Sequence, residues 1–148
     1  MGRKGKYKSN NITSFSNNVA GLKTKLPSLK AHIKATQSSI ITLQETHATR
    51  KGTFQIKGYK IFEAIRKNKK DGGSLVGAHC DLNPTVVKEY EDDFELIVIE
   101  IETNKNSIRI ITGYGPQETW PESERLPFFY ALDAEVLNSK LSGKSIII

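Results

Sequence analysis

A short apolar run that ends in a carboxylate constrains the fold of this chain more than any other feature. Residues 39–43 read Ser-Ile-Ile-Thr-Leu, and Gln44-Glu45-Thr46-His47 follows directly. Five residues of this composition predict a short, centrally buried β-strand. Glu45 would then lie at the carboxyl end of that strand, where a sheet-based enzyme can hold a metal ion.

The residues upstream of this run complete a βαβ unit. Residues 10–18 are predicted to form a weak strand that ends in the turn-prone pair Asn17-Asn18. Residues 25–36 have apolar side chains at helical spacing and Pro27 in the first turn, where proline is tolerated. Since residues 39–44 form the next strand, the order strand, helix, strand predicts the unit.

After the second predicted strand, the spacing of apolar residues changes to the alternation that is typical of β-strands. The strongest strand candidate is residues 94–102, in which Ile97, Ile99 and Ile101 fall on one face. Residues 103–106 are predicted to form a tight hairpin turn at its end. The other strands predicted in this part of the chain are residues 59–65, 74–80, 85–89 and 107–114.

A second helix is predicted to begin at Pro121 and to end near Gly143. Its predicted core-facing stripe consists of Leu126, Phe129, Leu132 and Val136. Residues 144–148 are predicted to begin another buried strand. Mixed strands with flanking helices predict an α/β or α+β sandwich.

The net charge of +6 is divided unevenly along the chain. Residues 1–70 contain 16 Lys or Arg and two acids, whereas residues 71–148 contain six Lys or Arg and 14 acids. A half-chain so poor in acids suits a polyanionic partner such as DNA, although a solvated basic surface would have the same composition. The acids of the second half, Glu89 and Glu95 among them, are predicted to face solvent.

The first nine residues are predicted to be a disordered basic arm, followed by one domain at residues 10–148. The arm has no acid and no apolar period. The candidate nucleic-acid-binding residues are Arg3, Lys4, Lys6 and Lys8.

Composition excludes several classes of protein. With 37% hydrophobic and 26% charged residues, the chain has the composition of an ordinary globular domain. Its apolar runs are shorter than the about 20 residues that span a bilayer, and the start leads into no signal-peptide core. We therefore expect an intracellular protein, nuclear or cytoplasmic, without a membrane partner. The lone Cys80, interpreted as a small strand residue, excludes an internal disulfide and a multi-cysteine zinc site.

Three residues are candidates for a site, and each has an ordinary alternative role. Glu45 is a candidate ligand for a hard cation, or a surface carboxylate in a salt bridge. Asn18 is either a turn former or a donor to a phosphate oxygen. Tyr114 is held by the rigid turn at Gly115-Pro116, or it is an amphipathic residue at the rim of the sheet. His47 follows Glu45 by two residues and lies either beside the pocket or in a solvated loop.

The order of four motifs resembles the endonuclease/exonuclease/phosphatase superfamily. Within it the chain is most similar to the abasic-site-type endonuclease domain of non-LTR retrotransposons, over residues 10–148. The motifs are Asn18-Val19-Ala20-Gly21-Leu22, Ile40-Ile41-Thr42-Leu43-Gln44-Glu45-Thr46-His47, Gly72-Gly73-Ser74-Leu75 and Gly113-Tyr114-Gly115-Pro116-Gln117. The resemblance implies a four-layer α/β sandwich and hydrolysis of DNA phosphodiesters that depends on Mg²⁺ or Mn²⁺.

The resemblance also implies roles for the candidate residues. Glu45 matches the metal-binding glutamate, Asn18 the asparagine that helps to bind the phosphate or the metal shell, and Tyr114 the tyrosine that contacts the scissile phosphate. Ala20 departs from the family, because many abasic-site endonucleases have a second polar or acidic residue there.

A larger departure concerns segments that the family places after the strand at residues 144–148. The family has an Asp-x-Asn motif there and an Asp-His pair later, and these activate the attacking water. The sequence has neither at these positions. We therefore expect an N-terminal portion of the domain that is inactive as it stands. The alternatives are a non-catalytic nucleic-acid-binding fragment and a sugar- or lipid-phosphate hydrolase of the same superfamily.

Overall fold

The structure, a computed structural model, describes residues 12–66, 71–90, 94–103 and 105–147. The predicted basic arm, with its four cationic candidates, lies outside the described residues. The elements follow in the order β1-α1-β2-β3-β4, a short 3₁₀ turn, and then β5-β6-β7-α2-β8. Two four-stranded sheets result, one from each half of the chain.

The first sheet contains the predicted βαβ unit. Its elements are β1 (Ser14–Asn18), α1 (Leu26–Thr36), β2 (Ile40–Gln44), β3 (Tyr59–Ala64) and β4 (Ser74–His79). The strand order is β1-β2-β4-β3, with β1 parallel to β2 and the other pairs antiparallel. In this register Asn18 pairs with Gln44, so the carboxyl ends of β1 and β2 lie side by side.

The second sheet is formed mainly by a meander. Its elements are β5 (Thr85–Tyr90), β6 (Glu95–Glu102), β7 (Ser107–Tyr114), α2 (Glu122–Leu141) and β8 (Ser145–Ile147). The strands are ordered β5-β6-β7-β8, and only the last pair is parallel. The backbone N–H of Thr103 donates to Asn106 O at 2.9 Å, as expected for the predicted turn between β6 and β7.

The two sheets pack face to face, and one helix covers each outer face. Ile97, Ile99 and Ile101 of β6 are fully buried against the first sheet, as their spacing predicts. The alternate residues Leu96 and Val98 point outwards and pack against α2. On the other side, α1 covers the first sheet through its buried Leu29 and Ile33. The architecture is therefore the predicted four-layer α/β sandwich of α+β type.

The predicted apolar stripe of α2 is wrong in part. Leu132 and Val136 pack against the sheet, but Leu126 and Phe129 are 36% and 47% exposed, and the buried aromatic residue is Phe128. The cause lies on β7, because Phe128 packs against Gly113, which has no side chain. A β-carbon added at Gly113 would lie 3.3 Å from the Phe128 ring. The space above Gly113 therefore determines which face of α2 packs against the sheet.

Two smaller predictions concerned strand ends. β4 ends at His79, whose side chain accepts a hydrogen bond from the backbone N–H of Asp81 at 3.2 Å. This contact bends the chain into a 3₁₀ turn, so Cys80 is an exposed turn residue and was wrongly interpreted as a strand residue. β8 is present, but it lies at the edge of the second sheet with Ile146 and Ile147 only half-buried.

In the described part of the chain, neither α-helix is long and apolar enough to cross a membrane.

Candidate metal centre

Three strand ends from both sheets meet at one carboxylate. Asn18 is the last residue of β1, Glu45 follows β2 directly, and Tyr114 is the last residue of β7. The Tyr114 hydroxyl donates to Glu45 Oε1 at 2.6 Å, across 69 positions of sequence. The structure therefore brings the three residues of the predicted site together at one edge of the sandwich.

The backbone around Glu45 is held from both sides. The N–H of Gly21 donates to the carbonyl of Glu45 at 2.8 Å, and the N–H of His47 donates to the carbonyl of Gly72 at 2.8 Å. Glu45 has a φ of +54°, a conformation that residues other than glycine rarely adopt. Such conformations persist where the surroundings fix them, and they occur often at functional sites. The carboxylate is thus presented by a loop with little freedom to move.

Hydrogen bonding sets the charge state of the site. The Tyr114 hydroxyl, and after it the Asn18 side chain, lower the pKa of Glu45, and His47 and Arg66 add a smaller effect in the same direction. The same bond to Glu45 raises the pKa of Tyr114. At neutral pH the carboxylate is therefore ionised and the phenol is protonated, so Tyr114 serves as a hydrogen-bond donor.

The orientation of Asn18 follows from its backbone neighbour. The N–H of Ala20 donates to Asn18 Oδ1 at 3.2 Å. The oxygen of the amide is thus engaged, and its NH₂ group is the part that can donate to Glu45 or to a phosphate oxygen. Asn18 therefore shapes the turn and also lies beside the carboxylate, while its donation to a phosphate oxygen stays a prediction.

The donor set fits a hard divalent cation with an incomplete protein shell. Mg²⁺ commonly takes one or two carboxylates and leaves its other positions to water and phosphate. Glu45 is half-buried and ionised, which suits this kind of binding. Within the described ranges, no group of three or more His, Cys, Asp or Glu side chains lies close enough to hold a metal ion. A site built from these residues therefore depends on Glu45.

His47 lies beside the site and is also partly solvated. Its side chain is 33% exposed, and its Nε2 lies 3.8 Å from Asp71 Oδ1. A β-carbon added at Gly21, whose φ is +95°, would lie 3.3 Å from His47 Nδ1. The glycine of the first motif therefore leaves room for the imidazole of the second.

Sequence reasoning missed the ion pair behind Tyr114. Arg66 Nε donates to Glu95 Oε1 at 2.5 Å, and Arg66 Nη2 donates to Glu95 Oε2 at 3.0 Å. The prediction that Glu95 faces solvent is wrong, because its side chain is 3% exposed. Glu95 precedes Ile97 by two positions, so the alternation of β6 places it on the inner face. This alternation could have predicted the burial of Glu95, and a carboxylate on a buried face needs a cationic partner.

The fold is shared with solved structures of low sequence identity, two of which are endonucleases. The AP endonuclease LMAP from Leishmania major has a TM-score of 0.61 at 18% identity, over 79% of this chain and 44% of the other. The endonuclease domain of TRAS1, a telomere-specific non-LTR retrotransposon, has a TM-score of 0.60 at 15% identity, over 84% and 54%. TDP2 from D. rerio, complexed with a single-strand DNA product, has a TM-score of 0.58 at 13% identity, over 86% and 55%.

This chain spans about half the length of these structures. No protein-family model matches it. The similarity extends over both sheets, because about four fifths or more of the chain is covered in each comparison. The chain therefore has the fold of the endonuclease/exonuclease/phosphatase domains, the superfamily that the order of its motifs resembles.

Proposed function

We propose that this chain is part of a divalent-metal-dependent phosphodiesterase that acts on DNA, of the kind found in non-LTR retrotransposons. The hydrogen bond of 2.6 Å between the Tyr114 hydroxyl and Glu45 carries the proposal. It joins two motifs from different sheets at the sheet edge where the resemblance places the reaction. The shared fold with the TRAS1 endonuclease domain supports the same assignment.

Each residue has a role that follows from its contacts. Glu45 would hold Mg²⁺ or Mn²⁺, since its carboxylate stays ionised and lies in a fixed loop. When bound, such a cation neutralises the charge of a phosphate and polarises it. The protonated Tyr114 hydroxyl and the Asn18 amide would donate to phosphate oxygens and so orient the phosphodiester. Neither of these donors removes a proton from water.

The basic first half supports DNA as the partner. Residues 1–70 carry a net charge of +14, from 16 Lys or Arg and two acids. Cations in this number neutralise phosphates and release counterions, which gives binding that depends on salt rather than on sequence. D. rerio TDP2, which shares the fold, has been solved in complex with a single-strand DNA product. The same charge favours the second candidate, a nucleic-acid-binding fragment without catalysis.

The nicking of supercoiled plasmid tests the proposed reaction. We expect no nicking above background by the 148-residue chain in Mg²⁺ or Mn²⁺, because no Asp-x-Asn or Asp-His segment follows residue 144 in it to activate water. A chain continued into such segments should nick, and only with a divalent cation. Failure of the continued, folded chain to nick would overturn the proposal. Metal-dependent nicking by the 148-residue chain itself would show that the missing segments are not required.

Salt-dependent binding tests the partner separately. We expect the 148-residue chain to bind duplex DNA without sequence preference, with an affinity that falls steeply as salt rises, measured by fluorescence anisotropy. Removing residues 1–9, which include Arg3, Lys4, Lys6 and Lys8, should weaken binding and make its salt dependence less steep. An affinity that is the same at low and high salt would mean that the basic half is only solvated surface.

A further inference from the structure

The guanidinium of Arg66 is fixed by three hydrogen bonds. Two go to the carboxylate of Glu95, and Nη1 donates to the carbonyl oxygen of Asp71 at 2.7 Å. Glu95 Oε1 also accepts the N–H of Gly73 at 3.1 Å. The Arg66 and Glu95 side chains are 11% and 3% exposed. A bidentate pair in such an enclosed position holds the guanidinium plane in one orientation.

The loop before β4 is shaped around this pair. Gly72 has a φ of +155°, and a β-carbon there would lie 2.5 Å from Arg66 Nε and 2.7 Å from Glu95 Oε1. Only a residue without a side chain lets the backbone pass so close to the two charged groups. The second glycine, Gly73, then supplies its N–H to the carboxylate.

Two aromatic rings lie against the fixed cation. The guanidinium carbon of Arg66 is 5.2 Å from the centre of the Tyr114 ring and 5.1 Å from the centre of the Trp120 ring. These distances are within the range of cation–π attraction. Glu95 also pairs with Tyr114 across β6 and β7, so the ring and the ion pair are linked through the backbone as well.

We propose that Arg66 is a positioning residue, which sets the direction of the Tyr114 ring and thereby places its hydroxyl on Glu45. The chain of contacts runs from Glu95 to Arg66, from Arg66 to the face of Tyr114, and from the Tyr114 hydroxyl to the Glu45 carboxylate. The consequence for cation binding rests on the proposed function, in which Glu45 holds the metal. The placement of Tyr114 does not rest on it.

Arg66→Lys tests the orientation of the side chain separately from its charge. Lysine keeps the positive charge but lacks the planar guanidinium group that makes two parallel hydrogen bonds. The matched control is Arg109→Lys, since Arg109 Nε donates to Glu100 at 3.1 Å in a second Arg–Glu pair, on the far part of β6 and β7. We expect Arg66→Lys to shift the aromatic NMR resonances of Tyr114 and the emission of Trp120, the chain's single tryptophan. We also expect Mn²⁺ affinity to fall about 10-fold, as for other groups that orient a metal ligand. Arg109→Lys should change none of the three.

Unchanged Tyr114 resonances in folded Arg66→Lys would overturn the proposal. If Arg66→Lys does not fold by circular dichroism, the double variant Arg66→Met with Glu95→Leu removes the pair without leaving a buried charge. It should show the same displaced Tyr114 resonances and weakened Mn²⁺ binding, and wild-type resonances there would equally contradict the role of Arg66. If no protein, including wild type, binds Mn²⁺, the proposed function fails, while the Tyr114 resonances still decide whether Arg66 positions the ring.

Discussion

Replacing Glu45 by Gln is expected to abolish measurable Mn²⁺ binding by this chain. Glutamine keeps the size of the side chain and a carbonyl oxygen, but it removes the negative charge on which a hard cation depends. Among the described residues no cluster of three carboxylate, imidazole or thiol ligands exists that would replace it. Titration of free Mn²⁺ by electron paramagnetic resonance measures the loss, and a chain continued into the missing segments should lose nicking with it.

The control for this change is Glu118→Gln. Glu118 is an exposed carboxylate that follows Tyr114 by four residues, so its replacement removes the same charge close by in sequence. We expect Glu118→Gln to bind Mn²⁺ as wild type does. Equal loss in the two variants would mean that cation binding reflects general negative charge, and retention of binding in Glu45→Gln would refute the assignment of Glu45.

The pH dependence of this binding follows from the lowered pKa of Glu45. Tyr114 contributes most to the shift, Asn18 next, and His47 and Arg66 act in the same direction against the effect of burial. Because the pKa is lowered, the carboxylate stays charged below its ordinary range near 4.5, and binding is lost as pH falls through the lowered value. Tyr114→Phe and Asn18→Ala remove donors, so their loss of binding should begin at a higher pH than in wild type.

Local sequence carried enough information to place Glu45. The apolar run of β2 and the helical spacing of α1 are short-range patterns, and a βαβ unit brings the carboxyl ends of β1 and β2 to one edge. Tyr114 joins them from the second sheet. Its place was predicted because it ends a strand and because the family resemblance places it there. No short-range pattern relates the end of β7 to the end of β2.

The features that sequence reasoning missed depend on contacts between the sheets or with α2. Arg66 follows β3 in the first sheet, whereas Glu95 begins β6 in the second, so their pairing exists only after the sandwich has formed. The buried face of α2 was missed for a related reason. Helical periodicity predicts which residues of α2 face the sheet only to within about one position. Phe128 is the buried residue because Gly113, on the strand beneath it, has no side chain.

Glu95→Ala is expected to have the largest effect on stability. The change leaves the enclosed Arg66 guanidinium without its two carboxylate bonds, and it also leaves the N–H of Gly73 without its acceptor. Removing one partner of a buried ion pair typically costs about 3–5 kcal/mol, because the remaining charge stays desolvated. Urea unfolding followed by circular dichroism measures the free energy of unfolding.

Two comparisons make this expectation specific to the buried pair. Glu100→Ala removes a carboxylate that bonds Arg109 and Lys144, but its side chain is 23% exposed and its partners are 16% and 28% exposed, so we expect a smaller loss than in Glu95→Ala. The double variant Arg66→Met with Glu95→Leu leaves no unpaired charge, and it should recover most of the stability lost in Glu95→Ala. If the double variant is as unstable as Glu95→Ala, the loss of stability comes from packing and from the Gly73 contact. It would then not come from an unpaired, buried Arg66 guanidinium. If it recovers stability yet binds Mn²⁺ more weakly, the pair is retained for the placement of Tyr114 rather than for the stability of the fold.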